Sequence, residues 1–155
     1  MEYKEAEAKI NELLNFKLPR WHELPDFDIY MDQVVFFINQ QLDVLNISDS
    51  DKPITSSMVN NYVKNSIVKA PIKKHYKRYH LAFLIVVTVL KRVYSLSEIS
   101  QMIAIQTKMK DSNLELAYDT FGTYFEESLK EMFEKGHLDN ARNKASNDYQ
   151  LLLLN

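Results

Sequence analysis

The chain has no cysteine and only two glycines and four prolines among its 155 residues. The lack of cysteine excludes disulfides, thiolate catalysis and cysteine-ligated zinc, and it fits a cytoplasmic protein. The scarcity of glycine and proline leaves few of the tight turns that a sheet protein needs, which favours helix. With 46% hydrophobic and 12% aromatic residues, the chain can bury a sizeable core. We therefore expect one all-α domain spanning residues 1–155.

Long hydrophobic runs are also missing. The longest, Leu81 to Leu90, has about ten residues, where a membrane span needs roughly twenty. The N-terminus is charged and has no apolar signal core. We expect no membrane insertion, a cytoplasmic location, and a buried helix over residues 79–93.

Recognisable catalytic motifs are absent from the sequence. The four histidines show no HExxH spacing, and there is no glycine-rich phosphate loop or nucleophile elbow. Four glutamates share an expected solvated face of a C-terminal helix: Glu126, Glu127, Glu131 and Glu134. The sequence therefore predicts no enzyme, no metal site and no cofactor.

Acidic residues are missing from one long stretch. Residues 52–97 contain nine lysines and arginines and no Asp or Glu. Residues 1–51 carry eleven acids and four bases, and residues 98–155 carry ten acids and six bases. The formal net charge of −2 therefore hides a strongly positive middle, the pattern expected of a surface that binds an acidic partner.

Helical periodicity and capping residues divide the chain into three parts. Residues 1–27 form an N-terminal helix and connector, residues 28–104 a helical core, and residues 112–154 two C-terminal helices that could pair two subunits. The buried side chains of the first part are predicted to be Tyr3, Ala6, Ile10, Leu13, Leu14, Leu18, Trp21, Leu24 and Phe27. The predicted caps are Asp28, Thr55, Ser95 or Ser97, Ser112 and, at a C-terminus, Gly136.

The helix that begins at Thr55 has a polar face inside the basic stretch. Val59, Tyr62 and Val63 face inward by their spacing, so the outward side chains are Ser57, Asn60, Asn61 and Lys64. Asparagine is unfavourable for an exposed helix, but in the major groove it can bind adenine through two hydrogen bonds. The alternative is a polar surface helix without a ligand.

A basic loop follows this helix and contains an aromatic residue. Its candidate DNA contacts are Lys73, Lys74, Tyr76, Lys77 and Arg78. Positive side chains beside a polar helix suit phosphate contacts. The alternative is that they pair with the acidic helices of the same chain.

Residues 59–103 resemble the DNA-binding half of the MerR family of transcription regulators. The family helix I-R-Y-Y-E-R-x-G-L-L-P lies over Val59 to Lys69, its R-x-Y-x-x-x-D-L segment over Lys74 to Leu81, and its F-S-L-E-E-I element over Tyr94 to Ile99. Asn60 replaces the family arginine, Ser66 replaces the turn glycine, and a shorter segment from Pro71 to Lys74 implies a stunted wing. The resemblance implies a winged helix-turn-helix core with additional N-terminal and C-terminal helices.

The chain also resembles an uncharacterised bacterial family, the YkrK-like proteins with a domain of unknown function. This resemblance covers about residues 18–103, on the segments LPRWHELPDFDIYMDQV, ITSSMVNNYVKN, KKHYKRYHLAFL and YSLSEI. It implies a MerR-like fold and transcriptional repression.

Together these features predict a homodimeric transcription regulator that binds double-stranded DNA with the helix at residues 55–65. The alternative is a protein-interaction or ligand-sensing module on a degenerate MerR-like scaffold, whose basic face docks an acidic partner. No effector is indicated, although a group of C-terminal aromatic residues could enclose one as well as fill a core: Tyr118, Phe121, Tyr124, Phe125 and Phe133.

Overall fold

A computed structural model describes residues 2–46, 52–109 and 113–154, with side chains described up to residue 134. Six α-helices occupy these ranges: α1 (Tyr3–Leu14), α2 (Met31–Gln41), α3 (Ser56–Lys64), α4 (Arg78–Leu90), α5 (Leu96–Lys108) and α6 (Leu114–Leu154). Short 3-10 helices lie at Trp21–Glu23 and Asp43–Leu45. The described residues contain isolated β-bridges but no strand, so the predicted all-α class is confirmed.

The chain forms two compact units. The larger unit is Leu18–Gly122, and the smaller unit combines Met1–Lys17 with Thr123–Asn155. Helix α6 contributes its first turns to the larger unit and the rest to the smaller one.

Helix α4 is the centre of the larger unit. Most of its apolar side chains are buried, and Leu81, Leu84, Ile85 and Val87 are fully enclosed. Helices α2 and α5 pack against it, and α3 packs against α2. The apolar run that predicted a buried helix therefore becomes the core of the domain. None of the described helices is long and apolar enough to cross a membrane.

Helix α1 of the smaller unit buries fewer of its apolar side chains than the sequence predicts. Leu13 and Phe16 are buried, and the ring of Phe16 meets the edge of the Phe125 ring at 6.2 Å. Tyr3 and Ile10, however, are exposed, so the predicted stripe of α1 is buried only near its C-terminal end. The prediction that Glu126 is solvated is also wrong, because this side chain is buried and lies 3.5 Å from the Lys17 ammonium.

The start of α2 differs from the prediction that Asp28 caps it. The chain stays extended through Ile29, because Ile29 exchanges two backbone hydrogen bonds with Tyr76, at 3.1 and 2.7 Å. Tyr30 takes the cap position, and the Gln33 side chain accepts its N–H at 2.8 Å. Phe27, expected in the core, is exposed.

Two other predicted caps are confirmed. The Thr55 hydroxyl accepts the Met58 N–H at 3.2 Å and begins α3. Ser95 and Glu98 exchange reciprocal hydrogen bonds at the start of α5, and these bonds lower the pKa of the Glu98 carboxyl. At the start of α6, Asn113 accepts the Leu116 N–H. Ser112 lies outside the described residues.

Gly136 does not end a helix. Helix α6 continues through it to Leu154, so the two predicted C-terminal helices are one. A single glycine inside a helix costs only about 1 kcal/mol relative to alanine, and no proline follows it to stop the helix.

Candidate nucleic-acid interface

Helix α3 presents the predicted polar face to solvent. Ser57, Asn60, Asn61 and Lys64 are all exposed, whereas Val59 and Tyr62 on the opposite side are buried. The helix has nine residues. A short helix of this kind, exposed along one side and packed along the other, can present its polar side chains to a groove without losing its own core contacts.

The two asparagines of this face differ in their availability. The Asn65 side-chain amide donates to the Asn61 carbonyl oxygen at 2.9 Å and to the Asn61 Oδ1 at 2.8 Å. An adenine held by Asn61 through two hydrogen bonds would have to displace the second contact. Asn60 takes no part in these two hydrogen bonds, so its amide is better placed than that of Asn61 to contact a base.

A tight reversal ends α3. The Ile67 N–H donates to the Tyr62 carbonyl at 2.9 Å, and the Ser66 N–H donates to the Val63 carbonyl at 3.0 Å. These two bonds form a Schellman motif, whose turning residue is left-handed and usually glycine. Here that residue is Ser66, with φ of 58°. The chain therefore turns sharply from the polar helix into the basic segment.

The basic loop contains a two-residue hairpin. Ile72 and His75 exchange two backbone hydrogen bonds, both 2.9 Å long, around Lys73 and Lys74. Both lysines are left-handed, with φ of 51° and 67°, as in the type I′ turn that normally takes Asn-Gly. Both are exposed. The hairpin therefore holds two adjacent positive charges at its tip, in a backbone conformation that lysine disfavours.

Contacts on its C-terminal side fix this hairpin to the domain. Tyr76, the next residue, makes the backbone bridge to Ile29. The ring of His75 meets the edge of the Tyr30 ring at 4.6 Å, and its Nδ1 lies 4.0 Å from the Asp28 carboxylate. These contacts hold the hairpin against the domain, and Lys73 and Lys74 lie at its exposed tip.

Two predicted DNA contacts do not fit their surroundings. Tyr76 is only 2% exposed, because its backbone bridge turns the ring into the core, so it is withdrawn as a phosphate contact. Arg78 is half-buried and donates from its guanidinium to the Leu24 carbonyl at 3.0 Å. Its Nε is buried and has no hydrogen-bond partner among the residues that the structure describes. Arg78 therefore serves the packing of α4 more than the surface.

His80, which the sequence did not single out as a site residue, joins the two ends of the basic segment. It is fully buried; its Nδ1 accepts the Lys77 N–H at 2.8 Å, and its Nε2 lies 3.0 Å from the Ala70 carbonyl. Burial lowers the pKa of His80. These partners fit a neutral ring with its proton on Nε2. The sequence could have indicated this role, because His80 lies three residues after Lys77, the cap of α4. A side chain at that position can accept the N–H of the cap residue.

Two further cations of the basic stretch donate hydrogen bonds to backbone carbonyls of the domain. The Lys91 ammonium donates to the Pro53 carbonyl at 2.5 Å and lies 6.0 Å from the centre of the Tyr62 ring. Burial, and then the charge of Arg92, lower the pKa of Lys91. Arg92 donates to the Leu45 carbonyl. These two side chains hold the ends of the connection between α2 and α3.

Five exposed cations of the basic stretch lie on α3 or in the segment that connects it to the start of α4. Lys64, Lys69, Lys73, Lys74 and Lys77 are exposed. We call these five lysines, with Ser57, Asn60 and Asn61, the basic face. Within the described residues no group of three or more His, Asp or Glu side chains could hold a metal ion.

Comparison with known proteins gives one match. Residues 19–121 match the model of a protein family described as a domain of unknown function (DUF1836). No curated protein and no solved structure matches the chain. The matched range contains the whole basic face. It also contains His80, which bonds to both sides of the Lys73–Lys74 hairpin, and Lys91, which bonds to the connection between α2 and α3.

Proposed function

We propose that this chain, which belongs to the DUF1836 family, is a cytoplasmic DNA-binding transcription regulator, and a repressor by its resemblance to the YkrK-like proteins. The observation that carries the proposal is the Lys73–Lys74 turn: two exposed lysines in left-handed conformation beside an exposed polar helix. Backbone strain of this kind concentrates at functional sites, because something other than stability maintains it. The proposal assigns no catalysis to the chain.

In this proposal α3 enters the major groove. A helix with its side chains is about 10–12 Å across, and the major groove of B-DNA is about 12 Å wide. Asn60 and Asn61 would contact base edges, and Ser57 and Lys64 would contact bases or phosphates. Asn60 is the stronger candidate for adenine, because the Asn61 amide oxygen is already bonded to Asn65.

The lysines of the hairpin and of the start of α4 would bind phosphates. Lys73 and Lys74 lie at the tip of the hairpin, and Lys77 follows it at the cap of α4. Phosphate contacts set the orientation of a protein on the duplex and supply most of its non-specific affinity. In this proposal the hairpin corresponds to a very short wing of the winged-helix fold.

The resemblance to MerR regulators gains support from two local features. Ser66, which lies over the family's turn glycine, has the positive φ that favours glycine. The segment of the family's wing is occupied by an antiparallel hairpin, although one with only two residues in its turn. A homodimer on a pseudo-palindromic site belongs to the same proposal.

A second candidate function is an adaptor that docks an acidic protein. It is favoured by three exposed aromatic side chains near the start of α2, Phe27, Tyr30 and Phe36. Tyr30 touches His75 of the hairpin, so apolar and basic surfaces adjoin. Aromatic residues flanked by charge are characteristic of protein interfaces.

Fluorescence anisotropy distinguishes these functions. The full chain is titrated into labelled DNA from upstream of its own gene and into a scrambled duplex, at salt concentrations between about 50 and 200 mM. We expect preference for the native duplex. Replacing Lys73, Lys74 and Lys77 by Glu should abolish binding to both duplexes. Any one of these three changes alone should weaken binding more than the matched single change Lys108→Glu, which lies outside the basic face.

Substitution of Asn60 and Asn61 tests base contacts separately. Either alanine variant should weaken binding to the native duplex by about 1–3 kcal/mol and leave binding to the scrambled duplex unchanged. The larger loss should come from Asn60→Ala. Equal weak binding of the unmodified chain to both duplexes would reject sequence recognition, and retention of an acidic protein partner in the presence of excess DNA would favour the adaptor.

A further inference from the structure

The larger unit contains an apolar cavity of about 170 Å³. Side chains of α4, α5 and the first turns of α6 line it together with Trp21, and it opens to solvent. Aromatic rings dominate its wall: Trp21, Tyr79, Phe83, Tyr118 and Phe121. Two of these, Tyr118 and Phe121, belong to the group of aromatic residues that, on the sequence alone, could either enclose a ligand or fill a core.

The wall offers very little hydrogen-bonding capacity. The Tyr118 hydroxyl is buried and already donates to the Pro19 carbonyl at 2.5 Å. Gln106 supplies an amide at the wall, and within the described residues no hydrogen bond engages that side chain. A ligand that fits this chemistry is therefore apolar over most of its surface and carries a single polar group.

The volume limits the size of the occupant. An enclosed apolar cavity of about 150 Å³ takes up one benzene-sized molecule, which sets the scale for this open one. A cavity of 170 Å³ lined by aromatic rings therefore suits a compound with one aromatic ring and a short substituent. Offset and edge-to-face contacts with the wall would favour an aromatic ring over an aliphatic chain of similar size.

One wall residue connects this cavity to the basic face. The ring of Tyr79 stacks on the ring of His80 at 4.1 Å. His80 in turn holds the Lys77 N–H and the Ala70 carbonyl, which lie on the two sides of the Lys73–Lys74 hairpin. A displacement of Tyr79 would therefore act on the residue that fixes both ends of that segment.

We propose that this cavity binds a small molecule with one aromatic ring and one hydrogen-bonding group, and that its occupation changes the affinity of the basic face for DNA. The first part rests on the cavity alone. The second part rests on the proposed function, because it requires a DNA-binding face to regulate.

The first test measures occupation without DNA. Trp21 is the only tryptophan of the chain, so its fluorescence reports on the cavity directly. The probe is 2-phenylethanol, excited at wavelengths where only tryptophan absorbs. We expect a saturable change in emission, with the affinity reduced at least about tenfold by Ala117→Leu, which places extra carbon atoms in the cavity.

Matched variants keep this test decisive. Ala104→Leu makes the same change on α5 outside the wall and should leave probe affinity unchanged. Ala82→Val narrows the cavity from α4 and replaces Ala117→Leu if the latter does not fold by circular dichroism. Absence of a saturable change in the unmodified chain, or equal loss in the Ala104→Leu control, would overturn the ligand site.

The second test adds DNA. Anisotropy titrations with and without saturating 2-phenylethanol should give DNA affinities that differ by at least about threefold, a coupling at the low end of the usual allosteric range, and the difference should vanish in Ala117→Leu. Probe binding in a chain that binds no DNA would reject the proposed function and keep the ligand site. DNA binding that the bound probe leaves unchanged would reject the regulation.

Discussion

Replacing Lys73 by Asn and Lys74 by Gly should make the domain more stable and a weaker DNA binder. The two lysines occupy the central positions of a type I′ turn with φ of 51° and 67°. Asn-Gly is the preferred sequence for that turn, because both of its residues tolerate left-handed backbone. The substitution keeps the hairpin and removes both its strain and its two charges.

The expected gain in stability can be worked from the backbone. A left-handed conformation costs an L-residue roughly 1–2 kcal/mol. Asn relieves part of that cost, and Gly removes it while adding about 0.5–1 kcal/mol of chain entropy to be lost on folding. The net gain should be about 1–2 kcal/mol, which for a protein of this size raises Tm by about 2–8 °C.

The expected loss in binding follows from counterion release. Each lysine that neutralises a phosphate contributes about 0.9 to the slope of log affinity against log salt. Loss of both should therefore reduce the magnitude of that slope by about 1.8. The control replaces two exposed lysines outside the basic face, Lys4 and Lys108, by Asn, so that the net charge changes equally.

Urea unfolding and anisotropy titrations measure both effects on the same preparations. A double variant no more stable than the parent would refute the argument from strain. A more stable variant whose salt slope equals that of the control would remove the hairpin from the DNA interface and favour the adaptor.

Two further predictions concern stability. Ser66→Gly should raise the free energy of unfolding by about 0.5–1 kcal/mol, seen as a higher urea midpoint, because glycine takes the left-handed position after α3 without strain; an unchanged midpoint would contradict this. The pKa of His80 is lowered by burial, so below roughly pH 6.5 the unfolded chain binds a proton that the folded chain resists. Stability should fall as the pH drops from 7.5 to 5.5, and by less in His80→Gln; equal pH dependence in both proteins would contradict the role of His80.

The parts of the fold that the sequence predicted depend on local signals. Thr55 and Ser95 cap their helices with side chains that need only the next three residues. The apolar run of α4 and the polar face of α3 follow from helical spacing alone. These predictions needed no knowledge of which segments meet in space.

The parts that the sequence did not predict depend on contacts between distant segments. The pairing of Ile29 with Tyr76 displaces the start of α2 and buries the Tyr76 ring, and no local pattern indicates such a pair. The hairpin at Lys73 and Lys74 lacks the Asn-Gly signal that its backbone normally requires. The cavity forms where three helices fail to fill the space between them, which residue types alone do not show.

The distribution of cations within the acid-free stretch connects the fold with the proposed function. Lys91 and Arg92 donate to backbone carbonyls, and Arg78 does the same at the start of α4. Their charges therefore contribute to holding the domain together. Of the five lysines of the basic face, Lys69 lies 5.8 Å from the centre of the Tyr79 ring, and Lys73 and Lys74 sit where their backbone is unfavourable. Charges kept on a surface at a cost to stability are best explained by a partner that needs them, and in the proposed function that partner is a nucleic-acid duplex.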